Sequence, residues 1–200
     1  MTLHRLIIFV NKRWKMKKGF KIIKRVFLSF IMLLISVMLL FSWFVKGNSK
    51  DYGENSKVLK SDKISNKKAL VVYQPSKSKL TKKIAEQIAQ GIKDEGYEVT
   101  INYPGKHMTG NISKYSIIVF GSPVYVGETS STLADYMKSI KDFSNKKILL
   151  FVTGAQLENN ELGKMEKNLG KIKDTEKVGF KNGMDDESKA YETGKRIAGE

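Results

Sequence analysis

Residues Val26 to Val45 read VFLSFIMLLISVMLLFSWFV, a run of 20 residues without a charge. At about 1.5 Å of rise per residue, such a helix spans about 30 Å, the thickness of a bilayer's hydrocarbon core. A buried core helix keeps a polar face, and here only Ser29, Ser36 and Ser42 interrupt the run. Trp43 near one end suits an interfacial aromatic belt. The stretch reads as a transmembrane helix in contact with membrane lipid. A signal peptide is the rival reading, since a start at Met16 supplies a basic leader, MKKGFKIIKR. The apolar run exceeds the usual length of about 7–15 residues, and KGNSKDYG behind it lacks an A-x-A-like cleavage site. An uncleaved, single-pass anchor is the reading that remains.

Charge sets the expected orientation. Nine lysines and arginines precede the span, whereas only Lys46 and Lys50 follow closely behind it. The positive-inside rule then puts the N-terminus in the cytoplasm and everything after residue 46 outside the cell membrane. The basic stretch NKRWKMKKGFKIIKR also suits a segment lying on anionic headgroups, with Trp14, Phe20, Ile22 and Ile23 dipping in. Its place beside a membrane span argues against nucleic acid as its partner. Residues 1–67 hold 15 Lys and Arg against 3 acids, and residues 68–200 hold 21 against 17. The net charge of +16 therefore resides mainly in the N-terminal third and says little about the partner of the C-terminal two thirds. Lysine outnumbers arginine 32 to 4, which fits an AT-rich bacterial genome. With no cysteine in the chain, disulfides, thiolate metal sites and thiol nucleophiles are excluded.

The sequence divides into a basic segment (1–25), the span (26–45), a polar linker (46–66) and a folded domain (67–200). The linker, rich in Gly, Asn, Ser and Lys, reads as solvated chain that lets the domain stand off from the membrane. In the domain, KALVVYQ (68–74), YSIIVFGS (115–122) and KKILLFVTGA (146–155) are short apolar runs, as strands buried on both faces require. YEVTINY (97–103) alternates and predicts an edge strand, and EKVGFKNG (176–183) predicts a last strand. Helical spacing predicts a helix over Leu80 to Glu95, carried by Ile84, Ala85, Ile88, Ala89 and Ile92, and another over Ser131 to Ile140. A weaker one follows Leu162, Met165, Leu169 and Ile172, and a last one is capped by Asp185. PGKHMTGNISK is too short and polar for a crossover helix and reads as a loop. Strands alternating with helices imply an α/β fold with a parallel sheet covered on both faces.

Ligands of such sheets bind beyond the carboxyl ends of the strands. There, QPSKSKLT places the hydroxyls of Ser76, Ser78 and Thr81 at a helix N-terminus, where free N–H groups and the helix dipole favour a phosphate. Ordinary helix capping uses the same residue types. Lys79 stands where a phosphate loop most often has glycine. If that position needs a positive φ, lysine costs on the order of 1 kcal/mol. His107 lies in a polar loop away from these strand ends and reads as solvated.

Taken together, ALVVYQPSKSKLTKKIAEQIAQGI, KYSIIVFGSPVYVGETSSTLADYMK and KKILLFVTGA resemble the flavodoxin-like family over residues 67–200. GSPVY with LFVTGA is also similar to flavodoxin-like proteins related to menaquinone-dependent protoporphyrinogen oxidase. The resemblance implies a flavodoxin-like three-layer sandwich, a five-stranded parallel sheet in order 2-1-3-4-5, and an FMN site. The family's phosphate loop maps onto Ser76, Lys77, Ser78, Lys79, Leu80 and Thr81. By the same resemblance Ser122, Pro123, Tyr125 and Gly127 would line one side of the isoalloxazine ring, with Tyr125 stacking on it. Thr153, Gly154, Ala155 and Gln156 would line the other side with backbone N–H groups. The function so implied is a membrane-anchored FMN electron carrier or small oxidoreductase, with a quinone or a redox protein as partner. The alternative is a degenerate fold without FMN, serving as a membrane-tethered interaction module. Lys79 favours that alternative, as does the lack of cytosolic NAD(P)H outside the cell. Protoporphyrinogen oxidation would need a cytoplasm-facing domain, against the charge rule.

Overall fold

A computed structural model describes residues 3–46, 49–63, 65–158, 160–170, 175–181 and 186–199. The chain forms two units, Met1–Phe44 and Val45–Glu200. The first is a single helix. Helix α1 (Leu3–Lys46) runs for 44 residues, through both the basic segment and the apolar run. Its stretch Phe20–Trp43, 24 residues, is long and apolar enough to cross a membrane.

The second unit is an α/β sandwich. Its elements are β1 (Lys57–Leu59), β2 (Lys68–Tyr73), α2 (Leu80–Asp94), β3 (Glu98–Asn102), β4 (Ile117–Pro123) and α3 (Ser131–Ser139). They continue with β5 (Lys147–Gly154), α4 (Glu161–Glu166) followed by a 3-10 turn, β6 (Thr175–Lys181) and α5 (Asp186–Gly199). Strand side chains alternate between two cores, as the pleat dictates. Val71 and Tyr73 of β2, Val119 of β4 and Phe151 of β5 pack with Ile84 and Ile88 of α2 and Ile197 of α5. Leu70, Val72, Phe120 and Leu150, from the same strands, point the other way onto Leu133 and Met137 of α3 and Met165 of α4. On the first face α2 and α5 approach almost backbone to backbone. A Cβ on Gly91 would lie 2.2 Å from the Tyr191 carbonyl oxygen, and one on Gly194 would lie 2.2 Å from that of Ile88.

The sheet corrects two sequence expectations. It has six strands, in the order β1-β3-β2-β4-β5-β6, where five were expected. The difference is β1, which pairs antiparallel with β3 from Lys57↔Ile101 to Leu59↔Val99. The five parallel strands keep the order 2-1-3-4-5 among themselves. YEVTINY is consequently an interior strand, flanked by β1 and β2. Its half-buried alternation reflects the pleat: Val99 and Ile101 join the core against α2, while Glu98 and Thr100 on the other face are half-buried. The loop reading of PGKHMTGNISK agrees with the structure, which has no helix between β3 and β4. Asp185 and Ile172 lie outside the described residues.

The second correction concerns the polar linker, much of which is docked. The Ser49 hydroxyl accepts from the Ser131 amide at 3.0 Å, and the Thr132 hydroxyl donates to the Ser49 carbonyl. The Lys50 carbonyl accepts from Gln74 Nε2 at 3.0 Å. Asp51 accepts from the amides of Gly53 (2.9 Å) and Lys106 (3.1 Å), and these bonds hold its carboxyl below the usual aspartate range. The Asn55 amide donates to Asn102 Oδ1 at 2.9 Å. The Tyr52 ring meets Tyr103 edge-on at 6.1 Å. Composition alone could not reveal this strap, because most of its contacts are made by backbone and short polar side chains. A chain starting at Lys67 is expected to be less stable than one starting at Val45 by on the order of 2–4 kcal/mol, at roughly 1 kcal/mol net per hydrogen bond lost. Urea midpoints of the two chains measure this directly, and equal midpoints would leave the strap with no part in holding the fold.

Candidate functional site

All five parallel strands point their carboxyl ends to one edge of the sheet. The loop after β2 begins with Gln74, which is fully buried. Its amide donates to the Gly121 carbonyl at 2.9 Å, and its side-chain Oε1 accepts from the Ser130 hydroxyl at 3.1 Å. The chain then turns, with the Lys79 amide donating to the Ser76 carbonyl at 3.1 Å. Lys79 itself stands at the N-cap of α2 with φ 62 and ψ 2. This is the left-handed region that glycine occupies without cost, so the lysine supports the backbone shape glycine would give, under strain. Its side chain is exposed. The first-turn amides meet hydroxyls at long range: Thr81 to Ser76 Oγ at 3.3 Å and Leu80 to Ser78 Oγ at 3.4 Å. The two serine hydroxyls lie 3.3 Å apart. These contacts lie beyond the usual hydrogen-bond range and are weak.

Thr81 faces inward. Its hydroxyl is buried and lies 2.7 Å from that of Thr153, at the carboxyl end of β5. The two threonines tie the helix behind the first loop to the strand before the third. Thr153 is only 2% exposed, and its carbonyl accepts from the Val124 amide at 2.8 Å. Of the residues expected on that side, Gly154 is half-buried, while Ala155 and Gln156 are exposed.

On the middle loop, Ser122 and Pro123 are buried at the end of β4. The Ser122 hydroxyl donates to the Pro123 carbonyl and accepts from the Ser130 amide, both at 2.9 Å. Ser130 in turn caps α3 by accepting from the Leu133 amide at 3.3 Å. Beyond Pro123 the chain forms a tight hairpin, with Tyr125 and Glu128 exchanging both backbone hydrogen bonds, at 3.0 and 3.1 Å. Val126 and Gly127 at its tip have φ 56 and φ 74. Positive φ at both central positions is the turn that suits a hairpin, although valine is an unusual occupant. The Tyr125 hydroxyl accepts from the Lys77 amide at 3.2 Å, so the middle loop reaches the first.

The structure therefore gathers Ser76, Lys77, Ser78, Lys79, Leu80, Thr81, Tyr125, Gly127, Gly154, Ala155 and Gln156 around one edge, with Ser122, Pro123 and Thr153 beneath it. Sequence reasoning missed Gln74, Ser130 and Lys164. Lys164, on α4, bonds to Glu128 Oε1 at 2.8 Å and to the Gly127 carbonyl at 3.3 Å, holding the hairpin from the far side. The bond to Glu128 raises the lysine above its ordinary range. A lysine on a short helix carries no signal of such a role. His107 is exposed, as expected, beside Asp51.

Four substitutions test the local energetics. Lys79→Gly is expected to leave stability unchanged or raise it by up to about 1 kcal/mol, as relief of left-handed strain offsets the added chain entropy. Gln87→Gly in mid-helix should lose about 1 kcal/mol in the same urea titration. Thr153→Val is expected to cost about 1–3 kcal/mol by stranding the buried Thr81 hydroxyl. Adding Thr81→Val should recover part of that loss, a coupling that the double-mutant cycle reads.

Comparison with known proteins agrees with this architecture. The sequence profile of the flavodoxin domain matches residues 70–193. No curated protein matches the chain in sequence. Among solved structures, oxidised Flavodoxin 2 from Bacillus cereus is 21% identical, with a TM-score of 0.54 over 66% of this chain and 98% of its own. The rubredoxin oxygen:oxidoreductase of Desulfovibrio gigas is 21% identical, with a TM-score of 0.55 over 66% of this chain. The Flv1 flavodiiron core from Synechocystis is 20% identical, with a TM-score of 0.53 over 67%. The chain spans only 36% of each of the latter two proteins. At these identities the likeness is one of fold. With the profile covering more than half of its length, the chain belongs to the flavodoxin-domain family.

Proposed function

We propose that this protein is a membrane-anchored flavodoxin that binds FMN on the carboxyl edge of its sheet and serves in electron transfer or as a small oxidoreductase. The observation that carries the reading is the left-handed Lys79 at the N-cap of α2. Lysine stands at this position, but its backbone takes the left-handed shape that glycine favours, which supports a loop able to cradle a phosphate. The hydroxyls of Ser76 and Ser78 fit the group because their present contacts with the first-turn amides are long and weak. Bound there, FMN would supply one- or two-electron transfer. Lys77 and Lys79, exposed on the same loop, would add positive charge for a phosphate dianion. Thr81 would hold the helix terminus in place through Thr153 rather than touch the ligand. Tyr125 would offer its ring to one face of the isoalloxazine, and the amides after β5 would meet the polar edge.

The excess of basic residues before the apolar helix supports a cytoplasmic N-terminus and a domain on the far side of the membrane, and the anchor itself makes a membrane quinone or a redox protein the partner of this reading. The second reading, a domain without FMN that serves as a tethered interaction module, draws on the Tyr125–Lys77 bond, which closes the middle loop onto the first. Titrating FMN into the full chain in detergent separates the two. Quenching of flavin fluorescence at 1:1 is expected, with Ser76→Ala/Ser78→Ala weakening affinity on the order of ten- to a hundredfold through lost bonds to a charged group. No quenching at high micromolar FMN would leave the interaction module as the function.

A further inference from the structure

The amino edge of the sheet, opposite the candidate site, holds an open groove of about 1320 Å³. It lies where α3 and the 3-10 turn end, β5 and β6 begin, and α5 runs out. The 8 residues of β5 put it about 26 Å from the carboxyl edge, at about 3.3 Å per residue. Small molecules fill cavities of about 300–1,000 Å³, so a groove of this size suits an extended segment better.

Its charge is one-sided. Lys138, Lys141, Lys146, Lys147 and Lys167 line it, against the carboxylates of Asp142 and Glu176. Both carboxylates are already engaged. Asp142 accepts from the Ser144 amide at 2.8 Å, which holds its carboxyl below the usual aspartate range, and Glu176 pairs with Arg196. Elsewhere in the unit lysines find carboxylates, as Lys68 does on Glu98, Lys164 on Glu128 and Lys177 on Glu166. Among the described residues, the groove lysines form no such pair. Lys146 Nζ donates to the Ser113 carbonyl at 3.0 Å and Lys147 Nζ to the Ile197 carbonyl at 3.3 Å. Those bonds fix the two ammonium groups without neutralising them. Lys138, Lys141 and Lys167 are exposed.

A lysine at a helix C-terminus commonly does no more than complement the dipole. That accounts for Lys138 in the last turn of α3, Lys167 in the 3-10 turn and Lys147 at the end of α5. It does not account for Lys141 and Lys146, which lie in the loop before β5, outside any helix. The same lining is also apolar. Ile148, Leu169 and Ile197 contribute to it, with the half-buried Phe143, whose ring meets Phe120 edge-on at 6.3 Å. A purely ionic polymer would use the lysines alone, whereas a peptide with acidic and apolar side chains uses both.

From the unpaired lysines and the apolar lining we infer that the amino-edge groove docks an acidic, partly apolar segment of a partner protein. Such a partner leaves the carboxyl edge open, because the two lie at opposite ends of the strands. The inference stands on this unit alone and needs neither FMN nor the membrane anchor.

The full chain in detergent is titrated into a fluorescein-labelled peptide of glutamate and leucine, and the anisotropy is read. Saturable binding is expected. Raising the salt from about 0.1 to 1 M, which shortens the Debye length from about 10 to 3 Å, should weaken it on the order of tenfold. Lys138→Glu/Lys141→Glu/Lys167→Glu is expected to weaken it on the order of ten- to a hundredfold, since like charges then face the peptide. Lys138→Gln/Lys141→Gln/Lys167→Gln, a milder change that keeps the test available if charge reversal unfolds the chain, should also weaken it severalfold. Lys57→Glu/Lys60→Glu/Lys106→Glu makes the same change of net charge at exposed positions outside the groove. It is expected to stay within about threefold of the unsubstituted chain, since screened charges beyond a Debye length act weakly. Equal losses in the two charge-reversed variants, or no binding at high micromolar peptide, overturn the inference. An all-glutamate peptide or inorganic polyphosphate that binds as tightly as the mixed peptide also overturns it, and makes the groove a general polyanion site.

Discussion

Burial of β2, β4 and β5 on both faces is the constraint on which the rest of this structure depends. Strands covered by helices on either side satisfy their backbone within the sheet and leave only its two edges for chemistry. Because the crossovers make the strands parallel, one edge collects every loop that leaves a strand and enters a helix. The hydroxyls, the strained lysine and the hairpin all converge there without any one of them being placed individually. Gln74 shows how tightly that edge is built. Its buried amide group joins the strap, the start of α3 and the loop after β2, leaving neither its oxygen nor its nitrogen unbonded.

Lys79 and Val126 are the two places in the site where residue type and backbone disagree. Each holds a left-handed conformation that glycine or asparagine would adopt at lower cost. At Lys79 the surrounding geometry imposes it, since the turn from Ser76 and the start of α2 fix both sides of the residue. At Val126 the hairpin imposes it, through the paired backbone bonds of Tyr125 and Glu128. The strain is therefore held by hydrogen bonds outside the strained residues, as is common at sites that must keep a particular shape.

Much of this was legible in the sequence. Apolar runs such as YSIIVFGS and KKILLFVTGA carry the double-sided burial in their composition, and helix faces such as Ile84, Ile88 and Ile92 carry the period. The serines and Thr81 drew attention because they follow a strand and open a helix. What stayed hidden was whatever depends on contacts between distant segments. Thr81 reads as a phosphate ligand by position, yet its hydroxyl is bonded to Thr153 in the interior. Lys164 is one surface lysine among many until the fold brings it to Glu128. The strap was the largest omission, because three strand residues are too few to show a period and polar residues that bond through their backbones look like solvated chain.

The short strand β1 has a consequence at the level of many molecules. Wherever identical domains are crowded together, their sheet margins meet far more often than in dilute solution. An open, regular strand at the sheet margin would invite neighbouring copies to join sheets. β1 covers β3, is only three residues long, and is bracketed by Lys57 at its start and Lys60 just past its end, both exposed. At the opposite margin, β6 carries the exposed Lys177 and Lys181. Both margins thus present lysine-bearing strands, with Lys177 paired to Glu166, and such strands disfavour the joining of one sheet to another.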